Sequence, residues 1–154
     1  MLESGRNIEA SVEGGLNKSE SKTEHIERRL EEIDSHIKHL EESIAKLQGQ
    51  ESNQAVVASL KEKLTQQKQE KDQEQQKAEQ LLRELDDVFR ELQATDKQNT
   101  EAQTEVSKLS AAGLDVSDAV NRTAERANWI EQKEEHYREL RRRAGKLASS
   151  SGGL

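Results

Sequence analysis

Few side chains in this sequence have the type and spacing to do chemistry. His36 and His39 lie three residues apart, a spacing that metal ligands use on a helix. No His-Glu-x-x-His motif occurs, and no cysteine is present to complete a site. The heptad pattern described below puts both imidazoles on a solvated helix face, so they read as surface residues. His25 and His136 stand alone. Asp and Glu total 31, but a catalytic carboxylate needs a concave, partly dry setting to shift its pKa. Nothing in the pattern supplies one. Glycine-rich phosphate loops and nucleophile elbows do not occur. The expectation is a protein without enzymatic activity, cofactor or metal.

The groups that remain suit binding. Arg138, Arg141, Arg142, Arg143 and Lys146 form a basic cluster, and residues 114–154 carry 8 basic and 7 acidic side chains in a chain of net charge −7. Two readings stay open. The cluster either complements the negative end of a helix dipole or touches an anionic partner such as nucleic acid, lipid or an acidic protein. Trp129, the one tryptophan, either packs at a bundle edge or anchors a partner.

The elements that must carry these groups follow from composition and periodicity. Apolar residues make up 31% of the chain and charged residues 36%, against roughly 45–50% and 25% in an ordinary domain. So little apolar material fills only thin helical seams. Proline is absent, so nothing forbids long helices. The opening residues have no apolar core of the kind a signal peptide carries, and no apolar run approaches a membrane span. A cytoplasmic or intracellular protein is the expectation, with signal-less secretion as an open route.

Residues 1–20 read as a flexible arm, with a short helix around Ile8–Val12 as the alternative, and Ser21-x-x-Glu24 is a capping-box signature for a helix start. Ile26, Leu30, Ile33, Ile37, Leu40, Ile44 and Leu47 then alternate at spacings of four and three, a heptad repeat. Gly49 weakens the helix, and residues 49–53 read as a turn or a skip in the repeat. A second register begins at Val57, crosses a polar stretch over 66–77 and continues through Leu81, Leu85, Val88 and Leu92. The polar stretch is good helix-forming sequence; disorder is the competing reading. Gly113 suits a helix C-cap followed by Leu114, and Asp115 suits an N-cap. An unbroken helix through 112–115 is the alternative there. The last helix carries Ile130 and Tyr137, and residues 148–154 read as a tail.

Charges suggest how the helices pair. In the first helix, Lys22, Arg29 and His36 at g would meet Glu27, Asp34 and Glu41 at e of a parallel copy. Each such pair contributes only about 0–1 kcal/mol, but their common sign favours a parallel dimer through this helix. Folding the first helix back on the second would set its isoleucines against Lys71 and Glu74, so that arrangement is not expected. Leu82 and Phe89 widen the Leu81–Leu92 face, which suits an antiparallel hairpin with the last helix and places Tyr137 opposite Val88.

The fold expected is therefore an all-α, elongated coiled coil with helices near 21–48, 54–111 and 116–147, flexible termini, and an antiparallel hairpin of the second and third. The function expected is a scaffold or adaptor that self-associates through Ile26, Leu30, Ile33, Ile37, Leu40, Ile44 and Leu47. Partner proteins would meet Leu81, Leu82, Leu85, Val88, Phe89, Leu92, Trp129, Ile130 and Tyr137. Two alternatives stand beside it. One is an accessory protein or chaperone for a larger secreted or assembled partner. The other is a nucleic-acid helper that uses the basic C-terminal helix.

Overall fold

A computed structural model describes residues 2–150, with side chains described from Asn7 onward. Three long helices dominate: α1 (Leu2–Leu47), α2 (Gln54–Ala111) and α3 (Ser117–Ser149). A single 3-10 turn, Glu51–Asn53, precedes α2. No strand occurs among the described residues. The polar stretch over 66–77 is continuous helix inside α2. Its Gln, Lys and Glu residues lose little rotamer freedom in a helix, which is enough to carry the backbone through without an apolar stripe.

Both breaks fall at glycines with positive φ. Gly49 has φ 105° and Gly113 has φ 82°, a region in which any Cβ is strained. At the second break the amide of Gly113 donates to Ser110 O at 3.0 Å, and that of Leu114 donates to Leu109 O at 3.2 Å. This pair of bonds is a Schellman motif, and it satisfies carbonyls that the helix end would otherwise leave open. Asp115 then accepts from the Ser117 amide at 3.1 Å and the Ser117 hydroxyl at 2.8 Å. The joint over 112–115 therefore ends one helix and starts the next. Gly113→Ala is expected to cost about 1–2 kcal/mol, read as a lower urea midpoint with an unchanged slope.

The Ser117 hydroxyl bond, followed by the Ser117 amide bond, holds the Asp115 carboxyl below its ordinary value. A lowered folded-state pKa stabilises at pH values above the unfolded-state pKa, and the effect fades as pH falls through the folded-state value. Amides at the start of α3 are thus expected to lose protection in acid, below about pH 4. Asp115→Ala is expected to remove that dependence in hydrogen exchange.

The helices form two compact units. The first combines Met1–Ser21 with Leu82–Arg143. Its pairings give the helix directions. Glu9, Glu13 and Glu20 of α1 meet Arg126, Lys133 and His136 of α3 in ascending order, so these helices run parallel. Asp86 meets Arg141, and Phe89 meets Tyr137, so α2 and α3 run antiparallel. The second unit combines Lys22–Leu81 with Ala144–Leu154. There α1 and α2 form a hairpin across the Gly49 turn, and Gln75 donates to the Ser150 hydroxyl at 2.9 Å.

Two expectations change. The helix forecast to begin near Ser21 begins at Leu2, so the described part of the 1–20 arm is helical. Val12 and Leu16 are fully buried, as is Thr23, and Ser19 nearly so. Residues 151–154 of the forecast tail lie outside the described residues. The second change concerns pairing. The α1 stripe forecast to zip onto a second chain folds back on α2 of the same chain. Ile26, Leu30, Ile33, Ile37 and Ile44 are buried there, together with Lys71, Glu74 and Gln75.

The objection to that pairing was a charged residue facing an isoleucine, and Lys71 shows how it is met. Its stem lies in the seam while its ammonium reaches Asp34 Oδ1 at 2.9 Å, where the carboxylate is half exposed. Long cationic side chains bury their methylenes in this way at little electrostatic cost. Arg29 adds a part-buried bond to Glu70 at 3.3 Å. Buried threonines are satisfied within their own helices: Thr95 donates to Glu91 O and Thr123 to Ala119 O.

Candidate protein-interaction surface

The first unit holds most of the residues forecast to bind. Leu81 belongs to the second unit by position, where it is buried. In the first, Leu85, Val88, Leu92, Ile130 and Tyr137 are buried. Leu82 and Trp129 are half-buried. Phe89 is 37% exposed and stacks on Tyr137, with ring centroids 5.1 Å apart and planes inclined by 21°. Stacked rings add about 0.5–1.5 kcal/mol beyond the area they bury, so Phe89 locks the α2–α3 hairpin from its outer edge. Trp129 sits beside Lys133, whose ammonium lies 6.0 Å from the ring centroid. The Leu81–Leu92 face is thus filled by α1 and α3 of the same chain.

The basic cluster is engaged within the chain. Arg138 pairs with Glu134 at 3.8 Å, Arg142 pairs with Glu139 at 2.7 Å, and Arg141 meets Asp86 across the hairpin. Arg143 also has a partner, and Lys146 is exposed. The Arg142 hydrogen bond holds the Glu139 carboxyl below its ordinary range. Tyr137 first, and then Asp86, push the Arg141 guanidinium above its ordinary value. Cations already bonded to acids must give up those bonds before they neutralise phosphates. These pairs are largely exposed, however, and each contributes little.

What remains open to solvent lies elsewhere. Leu109, Leu114 and Val120 are 39%, 58% and 45% exposed around the α2–α3 turn. Leu109 and Leu114 are the two residues whose apolar contact accompanies a Schellman motif, which explains their proximity but leaves them uncovered. In the second unit Leu40, Leu47, Leu60 and Leu64 are half-buried, and Val56 is 50% exposed. A pair of helices has no third neighbour to close over its seam, so the outer half of each leucine stays wet.

Several structural residues escaped the sequence reading. Glu9, Val12, Leu16, Ser19 and Thr23 continue the α1 heptad upstream at spacings of three, four, three, four and three, up to Ile26. The signal was present but carried by small polar residues and interrupted by Gly14 and Gly15. Leu140 and Ala144 of α3 are fully buried as well. They extend the Ile130–Tyr137 stripe by one further turn each.

Among the described residues no group of three or more His, Asp or Glu side chains is placed to hold a metal ion. His36 and His39 are both exposed on α1. No helix among the described residues is long and apolar enough to cross a membrane. No family model matches the chain, and no curated protein or solved structure shows significant similarity to it.

Proposed function

We propose that this chain is a non-enzymatic helical scaffold or adaptor that self-associates and holds partner proteins through its helical surfaces. The observation that carries this reading is where apolar surface is left exposed. Among the described residues, five large hydrophobic side chains are exposed, and three of them, Leu109, Leu114 and Val120, flank the α2–α3 turn. Clustered exposed apolar residues on an otherwise charged protein mark places where another chain sits. Charged residues make up 36% of the chain, and those described include ten ion pairs such as Arg126–Glu9 and Arg142–Glu139. Self-association through the α1 stripe is not part of this reading, because Ile26, Leu30, Ile33, Ile37 and Ile44 are buried within the chain.

Sedimentation equilibrium across a hundredfold concentration range tests the reading. A weight-average mass rising above 17.4 kDa is expected, and Leu114→Ser with Val120→Ser is expected to bring it back. A single copy at every concentration would remove self-association from the proposal.

A further inference from the structure

The first unit contains a contact whose chemistry specifies a ligand. Glu9, Glu13 and Glu20 of α1 bond Arg126, Lys133 and His136 of α3 at 2.8, 3.1 and 3.4 Å. Every acid is on α1 and every base on α3. Between these rungs Val12 and Leu16 are fully buried, and Gly15 lies over Val88. A Cβ on Gly15 would stand 3.0 Å from Val88 Cγ2, so any larger residue there needs Val88 to give by a few tenths of an ångström.

Gly14 is different. A Cβ there would meet nothing within 4 Å, and no positive φ is found at that position. Glycine within a helix costs about 1 kcal/mol relative to alanine. Gly14 therefore weakens this segment with no return in packing. Ser11, Asn17 and Ser19 are weak helix formers too. Segments of low intrinsic stability are those that open locally while the rest of a protein stays folded. The face beneath, by contrast, is built from the fully buried Leu85, Leu92 and Leu140 on α2 and α3.

We propose that the α2–α3 face of this unit is a receptor for an acidic amphipathic helix of a partner protein, with the segment around Glu9–Glu20 of α1 as its resident internal occupant. The proposal rests on the partner-binding reading above and supplies the partner's chemistry. Arg126 selects the ligand, since its side chain is only 8% exposed and bonds Glu9. A buried guanidinium left without a carboxylate is strongly unfavourable, so an apolar helix without acids does not replace α1. The pattern required is Glu-x-x-Φ-Glu-x-small-Φ-x-x-x-Glu, where Φ is apolar, as read from Glu9, Val12, Glu13, Gly15, Leu16 and Glu20.

The test uses the full-length chain and a fluorescent peptide with the sequence of residues 2–21. In Leu16→Asp a charge at a fully buried position drives the internal segment out and leaves the face intact. This variant is expected to bind the peptide at least about tenfold more tightly than the wild type, because the competing internal ligand is gone. Adding Arg126→Glu is expected to abolish that gain. Gly14→Ala, which strengthens the internal segment, is expected to weaken uptake by the wild type about two- to fivefold. Three results overturn the proposal: equal uptake by the wild type and Leu16→Asp, a gain that survives Arg126→Glu, or loss of helix throughout Leu16→Asp by circular dichroism. The last would mean that the face does not exist without α1. Mixed-label dimers that exchange N-terminal segments would also overturn it, by making a second copy the occupant. The first three results leave the wild type's concentration-dependent mass, which tests the broader reading, unaffected; exchange dimers would raise that mass themselves, and Leu114→Ser with Val120→Ser would then fail to bring it back.

Discussion

Leu85→Ala is expected to lower the free energy of unfolding by about 2–5 kcal/mol. Leu85 is fully buried in α2, close in sequence to the Phe89 that stacks on Tyr137. Truncating its isobutyl side chain to a methyl forfeits the transfer energy of three carbons, a methine and two methyls, and opens a cavity. Long packed helices close such a cavity poorly, because a shift of one turn disturbs every neighbouring turn. Leu40→Ala serves as the comparison. Leu40 is half-buried, so part of the truncated volume already faces water and the loss is expected to be under half as large. Urea melts monitored by circular dichroism measure both. Leu30→Ala extends the test to pairing. Its seam is closed within one chain, so the loss at this position is expected to be the same at micromolar and tenfold higher protein. A seam shared between two chains would make it concentration-dependent.

Glu74→Leu is expected to act in the opposite sense and stabilise the chain by about 1–3 kcal/mol. Glu74 is 6% exposed in the α1–α2 seam, and its Oε1 accepts from Lys77 at 2.9 Å. Its Oε2 is buried with no hydrogen-bond partner. Desolvating a carboxylate oxygen without a partner costs more than one bond to a mostly exposed lysine returns. Leucine at this position would meet Ile26 and Leu30, which belong to the same buried stripe. Lys77 would simply return to water, since its side chain is 58% exposed already. A raised urea midpoint with unchanged slope is the readout. A fall in stability would show that Glu74 has compensation that the Lys77 bond alone does not provide.

The same seam shows what could be read in advance and what could not. Periodicity announced helices wherever leucine and isoleucine recur, and the positive-φ glycines at 49 and 113 were visible as helix stops. The hairpin of α2 with α3 followed from the width of the Leu81–Leu92 face, and Tyr137 stacks on Phe89, the neighbour of the Val88 that the register put opposite it. The pairing of α1 was not visible for a specific reason. A pattern of apolar and charged letters treats lysine as a wholly polar residue. In the seam, Lys71 acts as four methylenes tipped by a charge that reaches Asp34. The first twenty residues were obscured for another reason. Their seam positions are Glu9, Val12, Leu16 and Ser19, of which only two are apolar, and the next, Thr23, is polar again, yet Ser19 and Thr23 are both buried. Helix propensity alone could not anticipate that α3 would supply bases to hold Glu9, Glu13 and Glu20 in place. Such long-range partners are exactly what a local pattern omits.

The distribution of aromatic rings has a practical consequence. The chain's single Phe, Trp and Tyr all fall between Leu82 and Arg143. Indole emission and near-ultraviolet dichroism therefore report on one of the two units only, whereas the far-ultraviolet signal averages over every helix. Heating curves recorded by the two kinds of light are superimposable if the whole chain melts as one cooperative block, and they separate if each unit has its own transition. The natural chromophores thus make the thermal independence of the two halves measurable without adding any label.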